Sequence, residues 1–443
     1  MGQKNTQKIP KNQAKNTHQK DDALPLDPPT VVNRHGNLPV EQHDIYRQVN
    51  FHAGMATVEY YAHFENALGH ALGRTCAQHL DTIAELFSRF SVVAAAQPQH
   101  SWYPTERSAA FLKRVTKDNR IMATPFRKWM IARDEIDQSA ALIMMSWAEA
   151  ERRGIPRDKL VFLHGSGDGF DSPCLPLRRR FDRSLPMEAA YREAFRSAGL
   201  GDTADHTKVA FFDMYSCYPV AVEAACRAVG IDDPLSVAVT RLTCTGGLPY
   251  HGGPGSNYSC HGIVAVCEKL RLPRFRGQLA CVGANGGTLT EHGVGIYGTS
   301  PPARTFRRRD YREYAPDSSL PMEALALCPN GTGRIISWTV RHKRKPNVPL
   351  CGVVIGEMES GSDRGRRFVS RTRDGDAATI AWLLAGDRIG EAVRVQCDGC
   401  RYKGQKNAKG EGIFHVWCSR LEVDGQGEEE GWRQQPEEHQ CKL

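Results

Sequence analysis

No run of eighteen apolar residues occurs anywhere in the 443-residue chain, so no segment has the length and character of a membrane-spanning helix. The N-terminus lacks the apolar core of a secretory signal, and export is not expected. The fourteen cysteines follow no disulfide-scaffold rhythm, and they read as free thiols of a reducing compartment. "CDGC" at Cys397–Cys400 offers half a zinc site, with Cys418, His415 or Cys441 as further ligands. No second close pair completes it, so no metal is expected. The spacing G-x-G-x-x-G is missing where a strand opens into a helix, which removes a nicotinamide site. Charge of one sign is also lacking, although the net charge is +8. The arginine runs Leu177–Arg183, Phe306–Tyr314 and Arg341–Pro346 are separated and interleaved with acids. They read as solvated faces, and nucleic acid is not an expected partner.

What is present is a chain with ordinary globular composition, 40% apolar and 24% charged, long enough for several domains. Residues 1–36 carry Lys4, Lys8, Lys11, Lys15 and Lys20 before the first acid, Asp21. They hold few apolar residues and read as a disordered basic arm, whose "MGQKNT" start formally matches a myristoylation pattern. Residues 37–158 have helical periodicity: "EYYAHFENALGHALG" places Tyr60, Phe64, Ala67, Leu68 and Ala71 on one face. "HLDTIAELFSRFSVVAAA" continues it, and "DEIDQSAALIMMSWAEAERRGI" predicts a third long helix stopped at Gly154. Over 159–302 the period changes. "KLVFLHGSG", "KVAFFDMYSCYP" and "GQLACVGANGG" predict buried strands, with helices "PMEAAYREAFRSAGL", "AVEAACRAVGI" and "HGIVAVCEKLR" between them. That alternation predicts βαβ units on a mostly parallel sheet. Residues 303–395 predict a small, mostly β domain, and 396–443 a flexible tail.

Chemistry in such a sheet gathers where strands end. Three transitions qualify: Tyr215-Ser216-Cys217-Tyr218, the stretch Thr245–Gly262 with its six glycines, and Ala284-Asn285-Gly286-Gly287. Glycines there let backbone N–H groups approach a ligand or a developing oxyanion. Beside them stand Cys217, a thiolate if a helix N-terminus faces it, and His251 and His292, candidate acids or bases. Each has a plainer reading: a packed thiol, a solvated loop histidine, a structural histidine. Tyr215 and Asn257 either hydrogen-bond a ligand carbonyl or brace the loops, and Cys281 reads as core.

In order, "DMYSCYPVAVEAA", "CTGGLPYHGGPGSNYSCHGIVAVCEKLR" and "VGANGGTLTEHGVGIYGTSPP" resemble the C-terminal half of the thiolase superfamily. The similarity is greatest to its acetyl-CoA acetyltransferase-like branch near the sterol-carrier-protein thiolases. Upstream, "YYAHFENALGHALG", "NRIMATPFRKWM" and "DQSAALIMMS" resemble that branch's helical loop domain. Downstream, "GVVIGEMESGSDRGRRFVSRT" resembles its small extra C-terminal domain. The resemblance implies a mixed α/β fold, a thiolase-like C-terminal half between a helical loop domain and a small β domain. It also implies acyltransferase chemistry on acyl-CoA in lipid metabolism, with Gly252, Gly253, Asn285, Gly286 and Gly287 shaping a coenzyme A thioester site.

The departures are as specific. The family's Asn-Glu-Ala-Phe or His-Asp-Cys-Phe motif falls on Tyr215–Tyr218. The histidine of its Gly-His-Pro motif falls on Gly253, and the cysteine of its Cys-x-Gly motif falls on Ala284. The N-terminal half with its nucleophilic cysteine has no counterpart in the matching stretch. An unusual acyltransferase, a non-catalytic acyl-CoA binder, and one part of a split thiolase are therefore all open readings. A second copy, or a partner carrying the other half, would cover the apolar face that a lone half exposes. The terminal Cys441-Lys442-Leu443 is a variant of the Ser-Lys-Leu address, which predicts a peroxisomal import receptor as a partner and a peroxisomal location.

Overall fold

The computed structural model describes residues 55–303, 308–326, 329–343, 348–372, 376–397 and 419–422. The basic arm, the myristoylation pattern, Cys400, His415, Cys418 and the terminal tripeptide lie outside the described residues.

The periodic N-terminal stretch folds as expected into α1 (Thr57–Ala71) and α2 (Cys76–Ala95). Thr75 caps α2 by accepting the Gln78 N–H, and Gln78 returns its side chain to the Thr75 N–H, a reciprocal capping box. A short helix, α3 (Ala109–Lys113), and a hairpin of β1 (Ile121–Ala123) and β2 (Phe126–Arg127) follow. The third long helix does not form. Only α4 (Trp147–Arg152) is helical, and residues 134–146 run as an irregular strap. Tertiary hydrogen bonds override the local pattern here. Ala132 N–H donates to Cys217 O, Gly253 N–H to Arg133 O, and the Gln138 amide to His100 O and His251 O. The apolar residues that suggested a helix face solvent instead, Ile143 at 88% and Met144 at 83% exposure.

The central sheet holds β3 (Phe162–Phe170), β4 (Phe211–Asp213), β5 (Leu279–Gly286) and β6 (Glu291–Gly298) in the order β3-β6-β5-β4. Only β4 and β5 are parallel; β5–β6 and β6–β3 are antiparallel. The expected mostly parallel sheet is thus corrected to a mixed one, because the short Gly287–Thr290 turn folds β6 straight back on β5. One face carries α5 (Leu185–Ser197), with α6 (Pro219–Ala228) packed beside it. The other carries α8 (Tyr258–Arg271), and α7 (Val239–Leu242) packs at β4. The glycines of "HGSGDGF" lie inside β3 rather than in a loop after it. Each leaves room for the backbone of α5, since a Cβ on Gly165 would sit 2.5 Å from Ala194 O, and on Gly167 closer still to Ala190 O.

The C-terminal region is built from β7 (Gly331–His342), β8 (Pro349–Met358), β9 (Arg367–Arg371), α9 (Ala377–Leu384), β10 (Ala392–Cys397) and β11 (Ser419–Glu422). β10 pairs with both β11 and β7, so five strands close on themselves around Trp338, Val340, Val354 and Phe368. Residues 419–422, expected in the tail, are part of this sheet. The hairpin β1–β2 joins it through β7, which ties the N-terminal region to the C-terminal one.

Candidate functional site

β4 and β5 run side by side, so Tyr215–Tyr218 and Asn285–Gly287 leave the sheet at the same end. The glycine-rich stretch is anchored there by a residue that sequence reasoning passed over. Asp213 ends an otherwise apolar strand and is 1% exposed. Its Oδ1 accepts from Cys244 N–H (2.8 Å), Thr245 N–H (3.1 Å) and the hydroxyls of Thr243 and Thr245 (3.1 Å each). Gly262 in α8 lies against its Oδ2, where a Cβ would come to 2.6 Å. Burial raises the Asp213 carboxyl, and those donors oppose the rise. A lone acid closing a run of phenylalanines was the signal available in the sequence.

From that anchor the loop turns through Gly246 and Gly247, and Ser216 Oγ accepts the Leu248 N–H at 3.3 Å. His251 follows. Its plainer reading, a solvated loop histidine, does not hold: it is buried, because the strap lies over the loop and Trp102 N–H and Gln138 both bond its carbonyl. Gly252 has φ +114, and its missing side chain leaves the space that the Gln138 amide oxygen occupies. Gly253 faces the Arg133 carbonyl. Asn257 braces: its amide both accepts from Ala140 N–H (2.7 Å) and donates to Ala140 O (3.1 Å). Tyr215 packs edge-on against Tyr258, with centroids 5.4 Å apart.

The ring of His251 meets a second histidine that sequence reasoning quoted but did not weigh. His251 Nε2 and His261 Nδ1 share a hydrogen bond of 3.2 Å. Their outer nitrogens, His251 Nδ1 and His261 Nε2, are buried without a hydrogen-bond partner among the described residues. Burial lowers His251 to about 4, with His261 and His100 adding repulsion, and burial lowers His261 too. Both rings are neutral near pH 7, and each offers an unused nitrogen to a polar ligand group.

Cys217 is 7% exposed, and burial pushes its thiol up to about 12. α6 begins two residues on, at Pro219, but burial outweighs its N-terminus, and Cys217 packs as a neutral thiol beside Tyr61 and Tyr218. Cys281 is core, as expected.

His292 and Asn285 are not part of the glycine loop. Asp213 pairs with Val282, and both face α8. By strand alternation Asn285 points to the opposite, α5 face, together with its cross-strand neighbour His292. Gly286 and Gly287 form the turn beyond them and contact Glu291 and Thr290.

One further cluster has metal-like spacing: Glu65, His79 and Glu223, all buried. Its hydrogen bonds describe a different object. Arg74 donates to His79 Nδ1 (3.3 Å) and to Glu223 Oε1 (3.1 Å), while His79 Nε2 donates to Glu65 Oε1 (2.7 Å). The tautomer that Arg74 imposes puts the ring proton on the nitrogen facing the carboxylates, where a metal would need a lone pair. The cluster is a buried arginine-bridged carboxyl pair.

The family model described as the thiolase-like protein type 1 additional C-terminal domain matches residues 318–400. No curated protein matches the chain. Among solved structures, a monomeric SCP2-thiolase-like protein type 1 from Mycobacterium smegmatis is 35% identical, with TM-score 0.67. The match covers 79% of this chain and 73% of that one. An acetyl-CoA acetyltransferase from Syntrophomonas wolfei aligns at 11% identity and TM-score 0.39, over 54% of this chain and 60% of that one, a likeness too slight to argue from. No described helix is long and apolar enough to cross a membrane. By the identity and coverage of the mycobacterial structure, and by the domain match at its C-terminal end, the chain belongs to the SCP2-thiolase-like proteins of type 1, within the thiolase superfamily.

Proposed function

We propose that this chain binds an acyl-CoA thioester in the loop between Thr243 and Gly262, and that Cys217 carries no acyl group. The observation behind the reading is the pair of orphaned nitrogens on His251 and His261, buried in a glycine-lined loop. An unmet buried donor or acceptor costs about 1–3 kcal/mol, so such a pair favours a ligand that supplies the missing partner. A thioester carbonyl and the amides of a pantetheine arm offer the groups required. The strap of residues 134–146 lies across the loop, held chiefly by Gln138 and Asn257, and its displacement would admit the arm. The family likeness supports the ligand class, and with it lipid metabolism as the setting.

Turnover by an unusual acyltransferase is the second reading. What favours it is that His251 and His261 are neutral and hydrogen-bonded to each other, the state in which one can take a proton and the other pass it on.

Thermal unfolding of the full chain with and without coenzyme A or acetyl-CoA, at fixed salt, tests the binding reading. A ligand at about 100 times its dissociation constant adds roughly 2.7 kcal/mol. The expected result is a clear upward shift in the native chain and in Cys217→Ala, reduced in His251→Ala and His261→Ala. No shift in the native chain removes the reading. Acyl release that survives Cys217→Ala but is lost in His251→Ala supports turnover.

A further inference from the structure

On the α5 face of the central sheet three side chains stand in a line apart from the glycine loop. Ser184 caps α5, and its Oγ lies 3.1 Å from His292 Nε2. His292 Nδ1 lies 2.9 Å from Asn285 Oδ1. Asn285 and His292 are direct partners across β5 and β6, so the sheet register holds the second contact. Ser184 is fixed by the start of the helix, where its Oγ also accepts the Met187 N–H at 3.3 Å. The bonds define the tautomer: Asn285 Oδ1 accepts, so Nδ1 carries the proton and Nε2 presents its lone pair to the serine hydroxyl. The ring's backbone partner is Leu289, which has φ +57, the one non-glycine residue at positive φ among the described residues. The turn that leads into the strand of His292 is therefore held in a strained conformation.

We infer that Ser184, His292 and Asn285 form a nucleophilic triad, with Ser184 Oγ as nucleophile, His292 as its base and Asn285 as the residue that positions the imidazole. The substrate class is a short-chain acyl ester or thioester. Ser184 and His292 are 5% and 4% exposed, and Asp182, Arg183 and Asn285 beside them are partly buried. The hydroxyl thus lies just beneath the surface, a depth that suits a short acyl group. In the step proposed, Ser184 Oγ bonds to the acyl carbon and its proton passes to His292 Nε2; burial and the Arg178 charge keep the imidazole a weak base, so the acylation is slow. The bond from the acyl carbon to the alcohol or thiol breaks, and that group leaves with the proton from His292. Water then attacks the acyl-serine with His292 again as base, releasing the carboxylic acid and restoring the hydroxyl. No oxidant, reductant or cofactor enters. This inference is independent of the acyl-CoA reading, because the triad and the glycine loop lie on opposite faces of the sheet.

The test uses the full chain, a fluorophosphonate probe and p-nitrophenyl acetate. One fluorophosphonate adduct is expected, mapped by peptide mass spectrometry to Ser184, with a p-nitrophenol burst near one equivalent. Ser184→Ala should lose both. His292→Gln should slow labelling by at least about 100-fold. Asn285→Asp, which keeps an acceptor on Nδ1–H, should retain labelling where Asn285→Leu does not. A merely structural network predicts an unreactive native Ser184, and that result, or an adduct at another residue, overturns the inference. The native chain's own reactivity decides the matter even if a variant fails to fold. Coenzyme A thermal shifts stay unaffected by Ser184→Ala, so the two readings fail separately.

Discussion

At the scale of single residues, the molecule depends on side chains whose polar atoms have nowhere else to go. Asp213 is the clearest case, because four donors from Thr243, Cys244 and Thr245 converge on one oxygen. Asp213→Ala leaves them buried without an acceptor. The expected loss is about 2–4 kcal/mol in denaturant unfolding, with the glycine loop disordered, and a loss under 0.5 kcal/mol would show that water replaces the carboxylate. Cys217 is the opposite case. Its chemistry was suggested by its place after a strand, and burial removes it.

At the scale of elements, two arrangements have consequences of their own. The face of β3 against α5 is glycine at 165, 167 and 169, and the helix lies directly on the strand. Gly167→Ala forces a Cβ into Ala190 O, so it should destabilise by about 1–3 kcal/mol, with α5 losing hydrogen-exchange protection before the rest. The strap is held by side-chain bonds rather than by its apolar residues. Ile143→Lys and Met144→Lys should change stability by less than about 0.5 kcal/mol, since both side chains are exposed. Gln138→Ala together with Asn257→Ala should speed exchange across residues 134–146. If the exposed pair proves the more damaging, the strap has a covering partner.

At the scale of the whole molecule, buried titratable groups set opposite pH slopes. Burial lowers His63, His251 and His292 to about 3, 4 and 3. The unfolded chain protonates them near 6.5, so their contribution is present above that pH and lost as pH falls toward the folded values. Glu65 and Glu223 behave in reverse. Burial, and for Glu223 the facing carboxylate, raises both far above the usual carboxylate range. Their contribution is fully present below about 4.5 and is lost as pH rises through the raised values. Stability should therefore peak between these limits in unfolding measured from pH 5 to 8.5. Glu223→Gln supplies the proton permanently and should flatten the alkaline side while leaving the acid side unchanged. An unaltered alkaline slope would mean the pair is ionised in the fold.

The order of elements, the amphipathic helices α1, α2 and α5, the buried strands and the β character of the C-terminal region were all legible in sequence. Each rests on periodicity and on local turn residues, which neighbours along the chain decide. The three loop motifs, in order, carried the superfamily as well. The strap was not legible, because Ala140–Met145 is a good helical pattern until Asn257 claims the backbone of Ala140 and the Gln138 amide reaches out to the His251 carbonyl. The mixed direction of the sheet was missed because the glycine-rich residues 291–298 do not read as a strand until they pair; a connection as short as Gly287–Thr290 leaves only an antiparallel return. The grouping of His292 with the glycine loop failed for the same reason: adjacent residues of a strand point to opposite faces, and only the sheet register says which face meets α5 and Ser184. Sequence determined most of the elements, though not the strap, and the superfamily they belong to. Tertiary structure alone decided which reactive side chains meet, because a contact such as Ser184 with His292 spans 108 residues and depends on helix placement and strand register together.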